Sequence, residues 1–263
     1  MNIKLTSSLV LVLGLLLNAC GSNTLVATAT ILPTTTVTNT VTLEPTFTPT
    51  ITLTPTRTPK PTATPNLAAT QQYEEFFGVV QSVFDAGQID TIDGRYVQMD
   101  DYKDEIQGKL SYSWADENVE VKNFIVQADF EWSSTLGTTN LSGCGFVFRL
   151  QPNGDHYLIL LDRVQGVKLA SHTDRGTYSM GSPTNGGGKV SSFGSDPYHA
   201  AFTLVVTDLK AYVYVNDIYY GEYKLLDYRI TDSGPLSGAV LSADDYAFTN
   251  CSITNTQAWI MDD

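Results

Sequence analysis

The chain has 263 residues, with 15 Lys and Arg against 28 Asp and Glu, and a formal charge of −13. That balance excludes nucleic-acid binding, which needs clustered basic side chains to displace counterions from phosphates, and it disfavours adhesion to anionic lipid headgroups. Charged partners would be cations; otherwise neutral polymers fit. Seven of the eleven prolines and none of the fourteen tyrosines precede residue 70, so two regions of different character must be read separately.

Residues 1–19 carry Lys4 and then the apolar run Leu9 to Leu17. The run is too short to span about 30 Å of hydrocarbon and reads as the apolar part of a secretory signal. Leu17-Asn18-Ala19-Cys20 resembles the lipobox of bacterial lipoproteins, with Asn18 a less usual residue at its position. The resemblance implies a diacylglyceryl thioether on Cys20, a mature chain that starts there, and an extracytoplasmic domain anchored to the cell membrane and exposed at the surface. The alternative is an ordinary cleaved signal with a coincidental cysteine. Residues 20–66 continue as Thr, Pro and small apolar residues that cannot form a core. Extended polyproline-like backbone at about 3.1 Å per residue makes this a disordered stalk of up to roughly 140 Å.

Residues 67–105 form a helix and lead-in segment. Tyr73, Phe76, Phe77, Val80, Val83 and Phe84 recur at helical spacing, and Gly87 follows as a C-cap. Removing Lys4, Arg57, Lys60 and Glu44 leaves 12 basic and 27 acidic residues, so everything past residue 66 carries a charge of −15. From residue 106 to 263 the pattern has period two. Strands are expected near 95–99, 109–114, 124–132, 144–150, 156–162, 167–171, 201–207, 211–215, 218–224, 236–242 and 247–254. Pro152-Asn153-Gly154-Asp155 and Asn216-Asp217 supply the turn residues that tight hairpins need. Many short strands and one short helix predict an all-β, two-sheet antiparallel jelly-roll sandwich.

With Cys20 lipidated, Cys144 and Cys251 remain as an even pair in an exported domain, and a disulfide is expected, two buried thiols being the alternative. The stretches Ser142-Gly143-Cys144-Gly145-Phe146-Val147-Phe148-Arg149, Asp155 to Asp162, Val215-Asn216-Asp217, Gly234 to Val240 and Phe248 to Ile253 resemble the concanavalin-like, laminin-G-like jelly rolls. They are more closely similar to the domain of lipid-anchored, Thr/Pro-stalked surface proteins of Chloroflexi, in which Gly87 to Tyr96 and Asp100-Asp101-Tyr102 also recur. The resemblance covers nearly the whole chain and implies architecture rather than activity.

For catalysis, Asp129-Phe130-Glu131 alone puts two carboxylates on one face of a strand at the spacing a retaining glycosidase uses. It lacks the third acidic residue of the family 16 motif, and the pair reads equally as a solvated strand face. His156, His172 and His199 have no metal-ligand spacing. No cofactor motif occurs; a structural calcium ion is left open. For binding, Tyr212 and Tyr214 share one strand face and Tyr220 lies on the next strand, an arrangement suited to stacking on a neutral sugar or to covering the sheet. Arg149 and Tyr157 are candidates for the opposite, concave face, or for a satisfied core. Thr173 to Pro197 reads as a long loop, with Gly186-Gly187-Gly188 supplying flexibility. The composite expectation is a surface lipoprotein whose jelly roll binds carbohydrate or another extracellular polymer without chemistry. A structural or adhesive envelope protein that binds a protein partner, and a sugar-active hydrolase, are the alternatives.

Overall fold

The computed structural model describes residues 67–262 apart from 109–110, 116–118, 136–141, 163–165, 187–192, 194, 243–245 and 247. The expectations for residues 1–66, acylation of Cys20 among them, lie outside the described residues. Helix α1 spans Leu67–Asp85 and buries Phe76, Val80 and Val83, one stripe at 3.6-residue spacing. It ends as the glycine predicts. Gly87 takes a φ of 69°, its N–H donates to the Phe84 carbonyl at 2.8 Å, and the Gln88 N–H donates to the Val83 carbonyl at 3.2 Å, so two otherwise orphaned carbonyls are satisfied.

The strands are β1 (Gly94–Gln98), β2 (Tyr102–Gln107), β3 (Ser111–Trp114), β4 (Val119–Val121), β5 (Phe124–Ser134), β6 (Gly143–Phe148), β7 (His156–Asp162), β8 (Gly166–Thr173), β9 (Gly176–Ser179), β10 (Tyr198–Val206), β11 (Lys210–Val215), β12 (Ile218–Lys224), β13 (Gly234–Ser242) and β14 (Phe248–Met261). They form two antiparallel sheets of seven. The first runs β1-β14-β5-β10-β11-β12, with β2 also on β14; the second runs β3-β13-β6-β7-β8-β9, with β4 also on β13. The expected two-sheet sandwich with one helix is therefore the architecture. β1 and β2 are ladder strands of the first sheet, so the segment read as a lead-in is built into the sandwich.

β5 shows how one strand is read from both sides. Phe124, Val126, Ala128, Phe130 and Trp132 point into the core, where Phe130 packs 5.1 Å from Phe202 and 5.3 Å from Phe146 of the facing sheet. On the other face Ile125 is buried against α1, together with Val205, Tyr212 and Trp259, whereas Asp129 and Glu131 farther along are exposed. The helix thus covers only one half of the outer face of the first sheet. Burial of each such large side chain contributes about 1.5–3 kcal/mol.

Cys144 of β6 and Cys251 of β14 are joined by a disulfide with Cα atoms 5.4 Å apart. Both are buried, and the bond ties the second sheet to the first rather than neighbouring strands of one sheet.

Candidate functional site

Every residue of β6 and β7 is buried, which a sandwich strand with a solvated outer face would not show. The cover comes from β3. Tyr112 and Trp114 lie over the outer face of the second sheet and pack on a cluster of Val147, Leu158, Leu160, Ala239 and Leu241. β13 and β6 separate β3 from β7, yet the Tyr112 hydroxyl reaches the His156 Nε2 atom at 2.9 Å, and the Trp114 ring lies 5.3 Å from the His156 ring. The sheet is therefore curled, bringing opposite corners of its outer face together. The surface between them is low because Gly143, Gly145 and Ala239 occupy it, and a Cβ on Gly145 would stand 1.9 Å from the Ile159 carbonyl oxygen.

The chemistry of this corner is defined by its hydrogen bonds. His156 Nδ1 faces the Gly154 carbonyl at 2.8 Å and must donate to it; the neutral ring then accepts the Tyr112 hydroxyl proton at Nε2. Burial pushes the His156 pKa down, and the neighbouring His172 adds to that. Burial pushes the Tyr112 phenol up to about 12, so it remains a donor at any physiological pH. His172 stacks on His156 with ring centroids 4.9 Å apart, and its Nδ1 lies 2.8 Å from the Thr177 hydroxyl of β9.

Thr177 leads into a cleft with a volume of about 730 Å³. One side is the outer face of β8 and β9, with Lys168, Ala170, Thr177 and Ser179; the other is the segment 181–186. That segment is held against the edge of β12, where Thr184 and Glu222 exchange backbone bonds of 2.8 and 2.9 Å. Gly186 is required there by close approach, since a Cβ would stand 2.3 Å from the Tyr220 carbonyl oxygen. Flexibility is not its role. Lys168 is pinned by the fully buried Asp162 at 3.2 Å, which fixes its ammonium group on the cleft wall. Beyond β9, the Val167 backbone is closed off by two phenols: its N–H donates to the Tyr220 hydroxyl at 3.4 Å and its carbonyl accepts from Tyr223 at 3.0 Å.

The tyrosine platform expected from the sequence is not formed. Tyr212 is 8% exposed because α1 covers it. Tyr214, half-buried, donates its hydroxyl to the Gln88 Oε1 atom at 2.8 Å. Tyr220 faces the opposite way, into the core between the sheets. The register slips between Val213 and Tyr214, and Gly221 on the partner strand has a φ of 153°; that bulge turns Tyr220 and Tyr223 inward together. Arg149 and Tyr157 likewise belong to the interior rather than to a concave surface. Arg149 is 1% exposed and binds the Lys122 carbonyl at 2.9 and 3.0 Å, the Thr207 carbonyl at 2.9 Å and the Asp208 carbonyl at 3.3 Å. Tyr157 stacks on Phe148 at 5.4 Å and exchanges hydrogen bonds with the Asp227 backbone.

Asp129 and Glu131 share the open half of the first sheet. Asp129 accepts from Asn255 at 2.8 Å, and Glu131 lies 3.5 Å from His199, both of those side chains being more than half exposed. Among the described residues no group of three His, Cys, Asp or Glu is placed to hold a metal ion. The residues missed in the sequence are Tyr112, Trp114, Lys168 and Thr177. Tyr112 and Trp114 alternate with serine, a signal for two aromatic rings on one strand face, but nothing local shows that this strand lies across a sheet containing His156.

The fold and this face define a two-sheet antiparallel β-sandwich with a polar cleft at the edge of one sheet. No protein-family model matches the chain, and no curated protein matches it. Among solved structures it is similar to the carbohydrate-binding module CBM66 from Bacillus subtilis, with 10% identity over 63% of this chain and 95% of that one and a TM-score of 0.45. It is also similar to a β-glucanase from Bacillus licheniformis, with 8% identity over 65% of this chain and 99% of that one and a TM-score of 0.39. A fructosyltransferase from A. japonicus gives 13% identity and a TM-score of 0.38; the match covers 64% of this chain but only 26% of that enzyme.

Proposed function

We propose that the domain is a non-catalytic glycan-binding module, held at the cell surface by a lipidated Cys20 and the Thr/Pro-rich segment that follows. The observation that carries the binding reading is the 730 Å³ cleft beside the histidine pair, whose wall mixes Lys168, Thr177, Ser179 and Ser182 with the apolar side chains of Ala170 and Pro183. Hydroxyl and ammonium groups match sugar hydroxyls, the apolar strip matches the C–H face of a pyranose, and the size lies within the roughly 300–1,000 Å³ of small-molecule sites. A charge of −15 past residue 66 favours a neutral polymer over an anionic one.

The non-catalytic part rests on the carboxylates. A glycosidase acid is kept protonated by an apolar enclosure; Glu131 has a side chain 56% exposed and Asp129 is also exposed, on an open sheet face. The membrane-anchor part rests on the apolar run Leu9 to Leu17, on Leu17-Asn18-Ala19-Cys20 and on the Thr/Pro-rich segment that follows. A glycan array probed with the whole chain tests the binding reading: retention on neutral polysaccharides is expected, and no retention on any glycan overturns it. Mass spectrometry of the mature N-terminus tests the anchor, which an unmodified residue other than Cys20 would refute.

A further inference from the structure

We propose that a second cleft, between α1 and the outer face of the first sheet, is a separate site for a single neutral sugar ring. The cleft has a volume of about 390 Å³ and lies where the helix stops covering the sheet. Its helix side is aliphatic, from Val79 and Val83, with Ser82 at the rim. Its sheet side is polar: Gln127 of β5, Thr203 of β10 and Tyr214 of β11, closed by Asp217 in the β11–β12 turn. One apolar wall facing one hydrogen-bonding wall is what a pyranose ring presents in reverse, with its C–H groups on one face and its hydroxyls around the edge.

The polar wall is set in advance. Gln127 donates to the Thr203 hydroxyl at 3.3 Å, which turns the hydroxyl proton of Thr203 away from Gln127. Tyr214 cannot swing, because its hydroxyl is bound to Gln88 at 2.8 Å and Tyr219 lies against its ring at 5.2 Å. Groups fixed before binding lose little freedom when a ligand arrives. Asp217 is likewise held in a tight turn with a φ of 61°.

The helix rim of the cleft is low: Ser82 is small and exposed, and its hydroxyl is folded back onto the Gly78 carbonyl at 2.8 Å.

Size and charge define the ligand. The volume is at the lower end of the range for small-molecule sites, enough for one ring and not for a polymer chain. Asp217 is the charged residue of the lining and has no Lys or Arg beside it there, so uronates and sulfated sugars are disfavoured. This site is on the opposite sheet from the polymer cleft, and neither proposal depends on the other.

The test is methyl and amide NMR of the whole chain titrated with methyl α-glucoside, methyl α-mannoside, methyl β-galactoside and sodium glucuronate. At least one neutral glycoside should shift the Val79 and Val83 methyl signals and the Tyr214 ring saturably in the millimolar range, while glucuronate binds at least tenfold more weakly. Ser82→Phe, at an exposed helix position, should weaken the interaction tenfold or more without lowering Tm, and Val79→Trp, at a half-buried lining position, serves as a second blocking variant. The proposal is overturned if none of the neutral glycosides moves these signals, if glucuronate binds equally well, or if both blocking variants bind like the parent.

Discussion

His156 and His172 face each other across β7 and β8 as a stacked pair, with centroids 4.9 Å apart and an interplanar angle of 20°. The position lowers the His156 pKa. Its charged form is disfavoured by burial and by His172, against the opposing influence of the Gly154 carbonyl and of Asp155; Tyr112 of β3 closes the remaining side. The pair also joins the aromatic cover of the second sheet to the polar cleft.

Stability should therefore fall on acidification from neutral pH. The folded His156 pKa is below the usual value of about 6.5, so at pH values below about 6.5 the unfolded chain binds more protons than the folded one. The contribution is complete above that pH and is lost as pH drops towards the folded pKa, with a limiting slope of about 1.4 kcal/mol per pH unit for one proton. Urea unfolding of the parent and of His156→Gln between pH 8 and 5 measures it. The parent should show the larger loss; equal pH dependence in both would contradict the assignment.

Tyr212→Ala should unfold more easily by about 3–5 kcal/mol, the cost of removing a large buried ring. An unchanged melting temperature would mean that the ring is a surface contact and that α1 does not cover it. Tyr228→Ala is the control: that ring is 81% exposed and its loss should leave Tm nearly unmoved.

Tyr212 also illustrates what the sequence can and cannot say. Period-two alternation on Ala211 to Val215 shows which residues share a face, and the helical stripe of Phe76, Val80 and Val83 shows that α1 needs a partner. Which sheet face supplies that partner depends on contacts more than a hundred residues apart, such as Phe77 with Trp259 at 5.5 Å. The eleven expected strands match eleven of the fourteen described, with shifts at their ends. β2 lies largely within the stretch read as a lead-in, where the charged run Lys103-Asp104-Glu105 carries no apolar alternation; its ladder partner is the far end of the chain, β14. β4 has three residues, too few for alternation to register, and β9 lies inside the Gly- and Ser-rich stretch from Thr173 to Pro197 that reads as a long loop. The chemistry of Arg149 reads in sequence either as a site residue or as a satisfied core group. The structure has the second, with its donors spent on three backbone carbonyls.

Arg149→Met should therefore be strongly destabilising, by roughly 3 kcal/mol or more, because each buried carbonyl left without a donor costs about 1–3 kcal/mol. Arg149→Lys should not restore it, since a single ammonium cannot reproduce the forked donation to Lys122, Thr207 and Asp208. Thermal unfolding of both variants is the measurement, and a Lys variant as stable as the parent would refute the carbonyl-clamp role.

Reducing the Cys144–Cys251 bond should cost about 2–5 kcal/mol, since it closes a loop with a sequence separation of 107. At this size that corresponds to a Tm lower by roughly 2–4 °C per kcal/mol. Calorimetry with and without reductant, paired with non-reducing peptide mapping, reads it directly; free thiols under oxidising conditions would contradict it.

The central claim, that the edge cleft of the second sheet binds a neutral glycan, is tested most directly by comparing the whole chain with Ser179→Trp on the same glycan array. Ser179 is exposed on β9 and lines the cleft, so the substitution fills the site from a position where the fold has little to lose. The account predicts that the parent is retained on at least one neutral polysaccharide and that Ser179→Trp loses that retention at least tenfold with an unchanged Tm. Equal retention of parent and variant, or no retention of the parent on any glycan, would contradict it.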